Sequence, residues 1–280
     1  MKTKIIVDST FDIREGIKNR LEIVPLTVHF GDEEYVDGVT ITREEFYEKL
    51  IESDVLPTTS QATPYAFSQA IEKAIEKGEE AVIITVSSTL SGTYQSACIA
   101  AGEYEDKICV VDSQTTAIGG GIIAERALQL ADQGLSAKEI ASVLDEEKGK
   151  ICIIALLDTL EYLKKGGRIS KTVAFAGEIL SIKPVISLKN GEIKILGKAR
   201  GSKQGNNLLN QLINSCGGVD FSRPVLLGYT GLSDKLLNKY IGDSEALWKE
   251  NTDELYTTLI GSVIGTHVGP GAVAAAYFEL

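Results

Sequence analysis

Two long stretches of this chain, residues 81–102 and 255–278, contain no Asp, Glu, Lys or Arg. They limit the possible folds more than any motif does. Length alone would allow each to cross a bilayer. Their content argues otherwise: the first carries Ser87, Ser88, Thr89, Ser91, Thr93 and Ser96, the second Gly261, Gly265, Gly269, Pro270 and Gly271. Each reads as a buried strand with its turn and the next element, so an integral membrane protein is not expected. A chain of 280 residues can bury such segments in a core of its own. At about 100–200 residues per domain it divides most naturally into two.

Charge and cysteine usage exclude further classes. A formal net charge of −11 makes whole-surface binding to nucleic acid or anionic lipid unfavourable. Cys98, Cys109, Cys152 and Cys216 stand singly in apolar surroundings, which reads as buried, reduced thiols in a cytoplasmic protein. With only His29 and His267 beside them, a zinc site is not expected. The first residues run straight into a strand-like segment, without a signal-peptide pattern.

The first half alternates apolar runs with helical patterns. Strands are expected at 4–8, 22–30, 81–86 and 107–112, with a hairpin or loop at 31–38. Thr42-x-x-Glu45 and Ser136-x-x-Glu139 are capping boxes that open helices, Thr63-Pro64 opens another, and a helix is expected over 117–132. This rhythm predicts an α/β unit over residues 1–150, with a mostly parallel sheet flanked by helices. Residues 151–280 read as an α+β domain with antiparallel pairing. Its strands are expected at 150–156, 183–188, 192–198, 225–229, 255–260 and 272–278, and Asn190-Gly191 marks a hairpin.

Hydroxyl residues recur just after buried strands, in Asp8-Ser9-Thr10, Ser87-Ser88 and Asp112-Ser113. Ligands of open α/β sheets bind outside the carboxyl ends of strands. Any one such cluster could simply cap a turn; three together favour a polar crevice. The richest, Ser87-Ser88-Thr89-Leu90-Ser91-Gly92-Thr93-Tyr94, links a strand to a helix start, where free N–H groups and the dipole favour an anion. Gly92 would let a ligand approach the backbone. No Lys or Arg occurs between Lys77 and Lys107, which suits a carboxylate better than a phosphate. A second cluster, Pro57-Thr58-Thr59-Ser60-Gln61, reads as a loop, and His267 as a residue of a tight sheet corner. Nucleotide motifs fail: residues 191–198 have five residues between the glycines of a would-be P-loop, and Ala199 replaces the hydroxyl that a magnesium ion needs. Gly119-Gly120-Gly121 is no dinucleotide fingerprint, and no nucleophile elbow occurs.

Charge is unevenly spread. Residues 164–203 carry a net +8 and the remainder −19. Such a segment can meet an acidic partner or a phosphorylated ligand.

The same segments resemble the DegV family of bacterial fatty-acid-binding proteins. The resemblance rests on Asp8-Ser9-Thr10, Pro57–Gln61, Ser87–Tyr94, Asp112-Ser113, the run 157–170 with Gly166-Gly167-Arg168-Ile169-Ser170, Lys183-Pro184, Lys198-Ala199-Arg200-Gly201 and residues 264–271. It implies a two-domain protein holding one fatty acid between its domains, with no further cofactor. It implies that Thr59 and Ser91 bind the carboxylate, that Ser60, Gly92 and Thr93 of the same motifs are ligand-binding residues with them, and that His267 lies near the head group. It further implies a non-catalytic role beside a fatty acid kinase. A separate ATP-binding subunit would phosphorylate the bound acid to an acyl phosphate for phospholipid synthesis, and would be met by Arg168 and, in the second basic motif, Arg200. Two other readings stay open: a serine hydrolase using Ser91 with His267 as base, and a lipid carrier or sensor with no kinase.

Overall fold

A computed structural model describes residues 2–104, 107–169 and 182–280. Ser170, Lys171 and Glu178 of the basic stretch lie outside the described residues. In chain order the strands are β1 (Thr3–Asp8), β2 (Glu22–Val24), β3 (Thr27–Phe30), β4 (Glu33–Val36), β5 (Thr58–Ser60), β6 (Glu80–Thr85), β7 (Ile108–Asp112), β8 (Ile151–Leu156), β9 (Ile182–Lys189), β10 (Glu192–Arg200), β11 (Leu226–Tyr229), β12 (Tyr256–Leu259) and β13 (Val273–Phe278). The helices are α1 (Glu15–Lys18), α2 (Arg43–Glu52), α3 (Pro64–Glu76), α4 (Thr93–Ala101), α5 (Ala117–Asp132), α6 (Ala137–Glu147), α7 (Glu161–Lys165), α8 (Gly201–Ser215), α9 (Lys235–Asp243), α10 (Glu245–Trp248) and α11 (Ser262–Val268).

Strands β2, β1, β6 and β7 form a parallel sheet in that order. Its inner strands are apolar on both faces, as a helix-covered sheet requires. Ile5, Val7, Val82 and Ile84 pack with Ile118, Ile122, Ile140 and Leu144 of α5 and α6. The alternate residues Ile6, Ala81 and Ile83 pack with Phe67, Ile71 and Ala97 of α3 and α4. Both expected capping boxes form, at Thr42/Glu45 and Ser136/Glu139.

The second sheet has the order β10-β9-β8-β13-β11-β12. It is mixed rather than wholly antiparallel, because β12 joins β11 in parallel. Asn190 and Gly191 both have positive φ, as a tight hairpin needs, so the would-be P-loop is a turn and a strand. One face carries Leu209, Ile213, Leu237, Tyr240 and Trp248. The other meets α5, which packs against both sheets. Gly119, Gly120 and Gly121 lie inside that helix; a Cβ at each would fall within 3 Å of Thr115 and Ile153, of the Phe11 ring, and of the Asp12 carbonyl. The triplet serves close packing.

Three local expectations change. The run 22–30 breaks at Pro25: β2 joins the parallel sheet, and β3 joins a separate antiparallel sheet, β4-β3-β5. Proline lacks the N–H that an unbroken ladder would use. Residues 58–60, expected in a loop, form the β5 edge of that small sheet. His267 lies in the last turn of α11 rather than in a sheet corner. Gly269, at φ 71°, ends that helix. Of the cysteines only Cys152 is fully buried; the other three are half-buried.

Candidate functional site

A cavity of about 360 Å³ lies where β5, the β6–α4 loop, α7 and α11 meet. That volume falls in the range of about 300–1,000 Å³ found for small-molecule sites. Helix α11 supplies one wall through Val263, Ile264, His267 and Val268, whose spacing puts them on one helical face. Leu26, Val86, Leu90, Leu163 and Ile193 complete a largely apolar lining. The two uncharged stretches read from the sequence thus supply most of these walls.

The polar groups of the lining stand in separate hydrogen-bonded pairs. Pairing of β5 with β3 places Thr59 opposite Val28. Thr59 Oγ1 lies 3.0 Å from His267 Nε2. Burial, and secondarily the nearby Arg168 charge, push the His267 pKa down to about 4. The imidazole is therefore neutral near pH 7. Among the described residues its buried Nδ1 has no hydrogen-bond partner, and it faces Gly166, where a Cβ would lie 2.4 Å away. A neutral ring carries a single N–H, so Thr59 Oγ1 accepts from Nε2 in one tautomer and donates to it in the other. In the Nε2–H tautomer the Thr59 hydroxyl proton is free to donate elsewhere.

Ser91 sits in the loop before α4. Its Oγ accepts the Thr93 N–H at 3.3 Å and lies 2.9 Å from Thr93 Oγ1. Thr93 is fully buried and holds Ser91 instead of lining the cavity. Ser60 lines the cavity, but its hydroxyl lies 2.8 Å from His29 Nε2. Arg168 was expected only at a partner surface, yet it also lines the cavity. It donates to the carbonyls of Leu90, 3.2 Å away, and Gly166, 2.9 Å away. Arg200 is exposed at the end of β10 and does not contribute to this lining. Much of the basic stretch is paired: Lys165 with Glu161, Lys183 with Asp158, Lys189 with Glu279 and Lys194 with Glu192.

Sequence reading missed Gln61 as a site residue. It borders the cavity beside Ser91 and Gly92, and its Nε2 donates to Ser96 Oγ at 3.0 Å. Its signal was present, since it follows Thr59-Ser60 directly. The contact across to α4 is non-local and leaves no mark in the sequence.

The geometry suits recognition of an acid with a long apolar tail better than hydrolysis. A serine–histidine relay needs the imidazole on the nucleophile and an orienting acid behind it. Here Nε2 faces Thr59, and among the described residues Nδ1 has no partner. Among the described residues no helix is long and apolar enough to cross a membrane, and no group of three or more His, Cys, Asp or Glu could hold a metal ion.

The chain is similar to known proteins over its whole length. Residues 2–280 match the family profile described as "Uncharacterised protein, DegV family". A DegV domain-containing protein of Caldanaerobacter subterraneus subsp. tengcongensis is 35% identical over 284 residues, covering 99% of each chain. Among solved structures, a fatty-acid-binding DegV family protein from Thermus thermophilus is 29% identical with a TM-score of 0.88, covering 100% of both chains. A stearic-acid-binding protein from Eubacterium ventriosum is 28% identical with a TM-score of 0.87, covering 99% of this chain and 98% of that one. DegV from Bacillus subtilis, a fatty-acid-binding protein, is 28% identical with a TM-score of 0.84, covering 100% of both.

Proposed function

The chain belongs to the DegV family, and from that premise we propose that it carries one long-chain fatty acid and presents the carboxylate to a separate ATP-dependent kinase subunit. The observation that carries the reading is a cavity with apolar walls that is also lined by the Thr59 and Ser91 hydroxyls, both able to donate to an anion. Each buried methylene contributes about 0.8 kcal/mol, so the chain supplies affinity and the hydroxyls supply orientation. Residues 191–198 form a turn and strand rather than a P-loop, which supports the reading that a partner binds ATP and that the product is an acyl phosphate.

Two measurements test this. Protein purified from bacteria, denatured, extracted and examined by mass spectrometry should yield close to one long-chain fatty acid per chain. Empty protein that also refuses added oleate would end the carrier reading. Thr59→Val or Ser91→Ala should weaken oleate binding by about 1.5–3 kcal/mol, the scale of a hydrogen bond to a charged group. Affinity for oleyl alcohol should change little. Equal losses for the acid and the alcohol would make both residues structural.

A further inference from the structure

Gly92 has φ −71° and ψ 2°, a conformation open to any residue. Backbone freedom is therefore not the reason for a glycine there. Space is: a Cβ at that position would lie 2.1 Å from Gln61 Oε1 and 2.9 Å from Gln61 Cδ. The Gln61 amide lies across the start of α4, over Gly92, and reaches Ser96 Oγ one turn further on. Ser96 is 2% exposed, so the far end of this contact is anchored in the core. Gln61 thus spans from the strand that carries Thr59 to the helix whose entry carries Ser91.

We propose that Gln61 is a positioning residue that holds the Thr59 and Ser91 hydroxyls at a fixed separation for the carboxylate, and that Gly92 is small to admit the Gln61 side chain rather than the ligand. This rests on the fatty-acid reading and deepens it. A carboxylate bound by two hydroxyls on separate elements depends on the spacing of those elements, and such geometry is precise only when its support is. The amide is the flexible end of a long side chain. A methyl at position 92 would displace it from Ser96 without disrupting the core.

The assignment predicts non-additivity. Gln61→Ala, Gly92→Ala and the double variant should each bind oleate more weakly by about the same factor, roughly 3–10-fold, because all three lose one shared contact. Ser96→Ala should match them. Oleyl alcohol should bind all of them as it binds the parent, and melting temperatures should stay close to parental. If Gly92 instead admits the ligand, Gly92→Ala will bind far worse than Gln61→Ala, and removing Gln61 will not relieve it; that result overturns the proposal alone. A parent protein that takes up no oleate overturns the fatty-acid reading, and this inference with it.

Discussion

The two ends of helix α11 are both polar and both largely shielded from water, but they are built differently. At its start the chain is tied down. Asp12 Oδ1 accepts the Gly261 N–H at 2.8 Å and faces Arg43 at 3.1 Å. Arg43 also donates to Thr258 Oγ1 and the Leu259 carbonyl, and the Tyr47 hydroxyl donates to the Ile260 carbonyl at 2.9 Å. At its end, His267 makes one side-chain hydrogen bond among the described residues, to Thr59, and its other nitrogen has no partner among them. Val263 and Ile264 at its start line the cavity with apolar surface, but the polar groups that tie that end, Asp12, Arg43 and Tyr47, do not, whereas His267 at the other end does. Buried atoms without a partner among the described residues occur at both ends, Asp12 Oδ2 and Ser262 Oγ at the start and His267 Nδ1 at the end, but only the last belongs to a cavity-lining residue, where a ligand can complete it. The contrast separates the polar groups that hold this fold from those that serve its site.

The strongest test removes the closed end. Arg43→Met leaves the fully buried Asp12 carboxylate without its counter-charge. Breaking a buried pair in this way costs about 3–5 kcal/mol, read as a fall in the denaturation midpoint. Adding Asp12→Asn should recover much of that, since the stranded charge carries most of the cost. His267→Gln, at the open end, should cost far less. Comparable losses at the two ends would erase the distinction.

Acid separates the two ends by sign. His267 titrates near 4 when folded, against 6.5 in a free chain. As pH falls from 6.5 to 4 the unfolded chain takes a proton that the folded one refuses, so this residue's contribution to stability is present above 6.5 and is lost on acidification. The full loss is about 3 kcal/mol. Asp12 and its neighbour Asp8 act oppositely. Burial raises each from 3.8 to about 6. The folded chain takes these protons first, so their contribution is present below 3.8 and is lost as pH rises through 6. Denaturation curves from pH 7 to 4 should show His267→Gln gaining on the parent as pH falls and Asp12→Asn losing ground. Parallel curves for all three would remove the difference in sign.

What the sequence disclosed about these regions follows the range of the forces involved. Strands β1, β6 and β7 are legible because a sheet covered on both faces needs uninterrupted apolar runs, and such runs are local. The Thr42/Glu45 and Ser136/Glu139 boxes and the Asn190-Gly191 turn are likewise local chemistry. Helix α11 is not legible. It is short, with Gly265 inside it where a side chain would strike Phe46 and Tyr47, and its start is held by Asp12 and Arg43 from far along the chain. Thr59 and Ser91 are legible as members of hydroxyl clusters and His267 as one of two histidines, and the DegV resemblance supplies their expected roles. The Gln61 strut and the seat of Arg168 depend on contacts that only the folded chain makes.

The turn carrying Arg168 packs on the open end of α11 and gives the smallest expected effect on binding. Gly166 rests against His267 Nδ1, and a Cβ on Gly269 would strike the Tyr162 ring, so the α7 turn and the end of α11 are in close contact. Arg168 is exposed, and its acceptors among the described residues are backbone carbonyls, of Leu90 beside Ser91 and of Gly166, which packs against His267. Water can replace an exposed guanidinium at a carbonyl at little cost, since the net worth of such a bond is about 1 kcal/mol. Arg168→Ala should therefore keep its fold and keep its fatty acid within about twofold of parental affinity. Acyl-phosphate formation with a kinase subunit and ATP is the contrasting readout. A fixed guanidinium fork at the cavity mouth can neutralise charge as the phosphate forms, which a lysine tether does less well. Most of the phosphorylation should be lost in Arg168→Ala, and less in Lys164→Ala. Occupancy and acyl phosphate are measured on one preparation. Full activity in Arg168→Ala removes the residue from the partner reaction. Loss of ligand together with activity instead assigns Arg168 to the binding cluster, as a third support of the open end beside Thr59 and Ser91.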